Sequence, residues 1–128
     1  MRILVGTDRG ETATRAVEWA AEMAGRYEAE LVVLQVGGEL AELERYVSEV
    51  APGARPICVE GDEPAAAIVA AAEAERVDVL VVGNIGMSGR REFLLGNIPN
   101  RVSHNARCTV VIVNTAEPAR SRLPWRRG

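Results

Sequence analysis

The chain contains no lysine; all fifteen of its basic residues are arginine. That absence removes several chemistries at once. No P-loop lysine, Schiff-base lysine or lysine general base can operate here. Histidine occurs once, at His104, and cysteine twice, at Cys58 and Cys108. One imidazole and two isolated thiols cannot assemble a zinc site of ordinary type, and they leave little for a Ser-His-Asp arrangement. No metal site built from protein side chains is expected. Aromatic residues make up only 4 % of the sequence, so Val, Leu, Ile and Ala must fill the core. No apolar run approaches the roughly 18 residues that span a bilayer. The first residues, MRILVGTD, lack a secretory signal's hydrophobic stretch and cleavage site, which points to a cytoplasmic protein that does not engage a membrane. A net charge of −3 spread along the chain offers no basic face for nucleic acid. The arginine-only habit itself is read as coding or thermophilic bias.

What is present alternates cleanly. With 48 % apolar and 26 % charged residues in 128 positions, a single domain with a packed core is expected. RILVGTD (2–8) reads as a buried strand, and residues 12–27 place Ala13, Ala16, Val17, Ala20, Ala21 and Ala24 at helical spacing. ELVVLQVG (30–37) is a second strand. Residues 39–51 put Leu40, Leu43, Val47 and Val50 on one helical face, and Pro52-Gly53 stops that helix. RPICVE (55–60) is a weaker strand whose Pro56 suits a sheet edge. Asp62-Glu63-Pro64 opens a third helix running to about Arg76. VDVLVVG (77–83) is a fourth strand, residues 98–106 a short helix, and CTVVIVN (108–114) a fifth strand. This alternation predicts an α/β domain over residues 1–115, a parallel sheet with helices on both faces. The tail, 116–128, loses periodicity, carries four arginines and is expected to be a disordered basic extension. The last strand, Thr109, Val110, Val111, Ile112 and Val113, suits a sheet edge; either other elements cover it or two subunits join there.

The stretch VVGNIGMSGRREFLLGN (81–97) is the densest in chemistry. In an open parallel sheet, ligands sit beyond the carboxyl ends of the strands where chain order reverses. Gly83 ends the fourth strand there, and Asp8 follows the first. Bare backbone at Gly83, Gly86, Gly89 and Gly96 lets peptide N–H groups approach an anion. The following helix start near Asn97 favours phosphate, and Arg90 with Arg91 adds positive charge. A phosphate cradle and a plain structural loop capped by Asn97 both fit this spacing. Asp8 likewise fits either a ligand contact or a helix-opening turn. His104 fits a solvated face, Ser88 has no base beside it, and Trp19, Met23 and Tyr27 form a stripe suited to packing under a neighbouring element.

The pattern Gly83-x2-Gly86-x9-Gly96 resembles the nucleotide-binding signature of the universal stress protein family, G-x2-G-x9-G followed by Ser or Thr. ILVGTD is similar to that family's first strand, EGDEPAAAIVAAAEAERVDVLVVGNIG to its passage from third strand to glycine loop, and ARCTVVIV to its closing strand. The resemblance implies a Rossmann-like five-stranded parallel sheet in the order 3-2-1-4-5. It also implies ATP bound near Thr7 and Asp8, an adenine pocket lined by Val36, Gly83 and Gly86 against ribose and phosphates, and Gly96 with Asn97 on the triphosphate. Mg²⁺ would accompany ATP, with AMP or another adenine nucleotide as the alternative ligand. A homodimer through residues 109–113 is implied too, and Cys58 and Cys108 would sit on opposite edges, too far apart to bridge.

The chain departs from the family pattern in three places. Asn97 replaces the Ser or Thr, Pro99 removes an N–H two positions on, and Arg9-Gly10 replaces the usual Gly-Ser after the aspartate. Arg9 is expected either to meet a phosphate or to point into solvent. The function this implies is a regulatory module in stress response, acting on an unidentified protein partner through nucleotide-dependent ordering of residues 84–95 and dimerisation. The alternative is an interaction module that has lost the nucleotide. Neither is read as an enzyme beyond slow ATP hydrolysis, since GTDRGETA carries none of the loops of adenylyl-transferring enzymes.

Overall fold

The computed structural model of the protein describes residues 1–83 and 108–114. Strands and helices alternate as β1 (Arg2–Gly6), α1 (Glu11–Tyr27), β2 (Glu30–Val36), α2 (Leu40–Val50), β3 (Arg55–Val59), α3 (Pro64–Ala74), β4 (Val79–Gly83) and β5 (Thr109–Val113). The glycine-rich loop after Gly83, the helix expected over 98–106 and the tail 116–128 lie outside the described residues.

The five strands form one parallel sheet in the order β3-β2-β1-β4-β5, as the family resemblance implies. β1 is central, which explains why Ile3, Leu4 and Val5 are all buried: both faces of a central parallel strand are covered. Because side chains alternate across a strand, the same short runs feed two cores. Ile3, Val5, Leu31, Val33 and Val81 pack with Ala16, Val17 and Ala20 of α1 and Leu43 and Val47 of α2. Leu4, Val32, Leu34, Leu80 and Val82 pack with Ala65, Ile68 and Ala72 of α3. Few aromatics are needed, since small alanines let the helices approach the sheet closely.

Local chemistry sets the boundaries. Pro56 lies on the edge strand β3, opposite Val33, where its missing N–H costs no interior ladder bond. Pro64 occupies the first turn of α3, where its fixed φ fits the helix. α3 stops at Ala74, two residues before the expected Arg76, which adopts φ 54° instead. β4 begins at Val79 and not at Val77, because Asp78 is occupied with β1: its N–H donates to the Arg2 carbonyl at 2.8 Å, and its Oδ2 accepts the Arg2 N–H at 2.8 Å. The aromatic stripe on α1 is also divided. Trp19 and Met23 pack against the core, whereas Tyr27, the last residue of the helix, is 59 % exposed.

Cys58 and Cys108 are free thiols on β3 and beside β5, at opposite sides of the sheet. Burial pushes both thiols above their ordinary pKa; Arg9 opposes this weakly at Cys58, and Glu73 and Asp78 add to it at Cys108. Both therefore stay protonated at neutral pH and behave as small core side chains.

Candidate functional site at the carboxyl ends of β1 and β4

From β1 the chain steps outward to β2 and β3, then crosses back to β4 and β5 on the other side. Chain order therefore reverses between β1 and β4, and a crevice opens above that point in sheets of this kind. The paired register of β1 and β4 ends at Val5↔Val81, and Thr7 and Gly83 each lie two residues beyond it. Val36 closes β2, half-buried on the α3 side of the sheet. Thr7, Asp8, Val36 and Gly83 thus share one end of the sheet. Gly86, Gly89, Arg90, Gly96 and Asn97 lie outside the described residues.

The turn from β1 into α1 is held by its own side chains. Thr7 is fully buried; its N–H donates to the Leu34 carbonyl at 2.8 Å, extending the β1–β2 ladder by one bond. Its Oγ1 accepts the Arg9 N–H at 2.9 Å. Asp8 is exposed, and its Oδ1 accepts the Gly10 N–H at 2.8 Å, a side-chain mimic of a backbone turn. A Cβ on Gly10 would lie 2.9 Å from that oxygen, so a larger residue there would push the Asp8 carboxylate aside. Asp8 therefore does a turn residue's work with one oxygen at the rim of the crevice.

The Arg9 side chain is 35 % exposed but does not simply point into solvent. It crosses to the next strand, where Nε donates to Gln35 Oε1 at 2.9 Å and Nη2 pairs with Glu42 Oε1 at 3.0 Å. Its backbone has φ 67°, a left-handed conformation that costs an ordinary L-residue about 1–2 kcal/mol. Gln35 is 6 % exposed, and its Nε2 donates to the Gly37 carbonyl at 3.0 Å. Gly38 has φ +78°, and a Cβ there would collide with the Gln35 amide. Arg9, Gln35 and the Gly37-Gly38 turn thus brace one another.

A chain of hydroxyls runs beneath this brace. Thr14 Oγ1 donates to the Gly10 carbonyl at 2.8 Å, so the Tyr46 hydroxyl donates to Thr14 Oγ1, 2.7 Å away. Thr7 Oγ1 donates in turn to the Tyr46 oxygen over a longer 3.4 Å. The order of protons from the Arg9 N–H to the Gly10 carbonyl is consistent throughout, and such chains polarise in one sense. Together these contacts tie the β1–α1 turn to β2 and α2 on the α1/α2 side of the sheet.

Thr14, Gln35, Glu42 and Tyr46 escaped the sequence reading. For Gln35 a signal existed: an amide interrupting the apolar run LVVLQV must have a buried partner. Glu42 and Tyr46 carried none, since on an amphipathic helix they read as ordinary surface positions. Among the described residues, no cluster of three or more His, Cys, Asp or Glu side chains is placed to hold a metal ion. No helix among them is long and apolar enough to cross a membrane.

Comparison with known proteins agrees with this geometry. The family model described as "Universal stress protein family" matches residues 1–51 and 38–114. A universal stress protein of Mycobacterium tuberculosis is 33 % identical, with 88 % of this chain and 95 % of that protein aligned. The Bacillus subtilis universal stress protein YxiE is 27 % identical over 88 % of this chain and 97 % of its own length. Among solved structures, a universal stress protein in complex with cAMP superposes with a TM-score of 0.69 at 30 % identity, covering 91 % of this chain and 98 % of that one. A universal stress protein from Archaeoglobus fulgidus in complex with dAMP gives 0.62 at 25 % identity, covering 89 % and 98 %. With motifs, strand order and relatives in agreement, this chain belongs to the universal stress protein family.

Proposed function

We propose that this chain is an adenine-nucleotide-binding regulatory module that takes ATP, with Mg²⁺ held by the phosphates, at the carboxyl ends of β1 and β4. The observation that carries the reading is the reversal of strand order there, with the Thr7–Gly10 turn on one side and Gly83 on the other. Related structures with cAMP and dAMP support an adenine ligand. In this reading Thr7, Asp8 and Val36 line the nucleoside end. Gly83, Gly86, Gly89, Arg90, Gly96 and Asn97 take the phosphates, largely through main-chain N–H groups. Binding orders residues 84–95, and a homodimer joined along Thr109–Val113 presents that surface to a protein partner. Residues 1–115 make up the module, and 116–128 lie beyond it.

Calorimetry with ATP and AMP tests this directly. Saturable binding is expected, abolished by Gly83→Val, and chelation of Mg²⁺ should weaken ATP more than AMP. Chromatography of ATP after incubation reports any hydrolysis. A second reading, an interaction module without nucleotide, is favoured by Arg9, whose guanidinium is already engaged with Gln35 and Glu42. Flat titrations on the folded protein would select it.

A further inference from the structure

Arg9 has features that a purely structural strut does not need. It adopts a left-handed backbone at the rim of the crevice, in a turn where glycine would relax without strain. Its ion pair with Glu42 is half-open to water, the two side chains being 35 % and 45 % exposed. Pairs of that kind are weakly held and readily exchanged. Gln35 and Glu42 engage Nε and Nη2, and Nη1 has no partner among the described residues. Arg2 and Arg55 are tied to Glu30 at the opposite end of the sheet, and Arg15 pairs along α1 with Glu11.

We propose that Arg9 is the residue by which this site selects phosphorylated over unphosphorylated adenosine. The inference rests on the adenine-nucleotide reading above. The buried Gln35 retains the Nε contact and serves as a pivot, while the terminal nitrogens leave Glu42 for a phosphate oxygen of the bound nucleotide. Thr7, two residues before Arg9, and Gly83 lie at the same end of the sheet, each two residues beyond the registered pair Val5↔Val81, so a phosphate held between them is in reach of an extended arginine side chain. Phosphate suits the exchange because it accepts the planar guanidinium fork through two parallel bonds and carries more charge than a carboxylate. The released Glu42 sits in the first turn of α2, so occupancy of the crevice also loosens that turn's tie to β1.

The test compares adenosine with AMP on the 128-residue chain by calorimetry, in the wild type, Arg9→Gly and Glu42→Gln. Glycine accepts the left-handed backbone, so Arg9→Gly removes the cation without adding strain. The preference for AMP over adenosine should fall about tenfold in Arg9→Gly, with adenosine affinity unchanged. It should rise about threefold in Glu42→Gln, where the competing carboxylate is gone. Parallel weakening of both ligands in Arg9→Gly, or an unmoved ratio in either variant, overturns the selection role while leaving nucleotide binding intact. Failure of the wild type to bind either ligand overturns both readings together.

Discussion

Glu30 shows how single charges act in this chain. Its carboxylate accepts from Arg2 Nε at 2.7 Å and from Arg55 Nε at 3.1 Å, and Arg55 continues to Glu75 beyond the end of α3. The bond from Arg2, then that from Arg55, hold Glu30 below the usual carboxylate range, and the carboxylates of Glu75 and Glu30 raise Arg55. A carboxylate whose folded pKa is depressed contributes stability above its unfolded pKa and loses it as pH falls through the folded value. Glu30→Gln should therefore lower the urea midpoint at neutral pH and leave it nearly unchanged in acid, where the wild-type carboxylate is itself protonated. The group is open to solvent, so added salt should shrink the neutral-pH difference. A difference that persisted undiminished in acid would locate the effect in packing rather than charge.

At the scale of elements, position in the sheet decides what each strand contributes. β2 lies between β1 and β3, and its Leu34 is fully buried beneath α3. β3 is an edge, and its Ile57 packs against the same cluster while only partly buried. The registered pair Leu34↔Ile57 therefore provides a controlled comparison. Leu34→Ala is expected to cost about 2–5 kcal/mol through lost burial and a cavity that dense surroundings cannot close. Ile57→Ala should cost roughly half as much, since water already reaches the side chain and the edge can relax. Urea unfolding of both variants checks this; equal losses would mean that β3 is buried more deeply than an edge should be.

For the whole molecule, the open question is what lies against β5. Among the described residues it pairs only with β4, and Ile112 is 45 % exposed. An apolar edge of this sort is a template for another strand. In the proposed dimer a two-fold axis would set β5 antiparallel to its own copy, the same residues serving both sides. Ile112→Glu should then give monomers in sedimentation velocity at concentrations where the wild type is dimeric, because the axis brings two like charges close together. A wild type that sediments as a monomer would remove the dimer from the proposed function.

The sequence by itself determined the five strands, the first three helices and the two-faced core. Alternating apolar runs and helical alanine stripes are local patterns, and each element's period is written in its own residues. Pro56 marked an edge and Pro64 a helix start for equally local reasons. The placement of Gly83 and Asp8 at strand ends was legible too, once the elements were ordered. Only the tertiary structure decided where Arg9 goes. Its partners, Gln35 and Glu42, are 26 and 33 residues away in sequence, and no periodicity links them. The same holds for the hydroxyl chain from Thr7 through Tyr46 to Thr14, and for Asp78, whose pairing with Arg2 shortens β4. These contacts arise because a parallel sheet brings the ends of successive strands side by side. Polar groups left there must find one another across that distance, or remain buried without a partner.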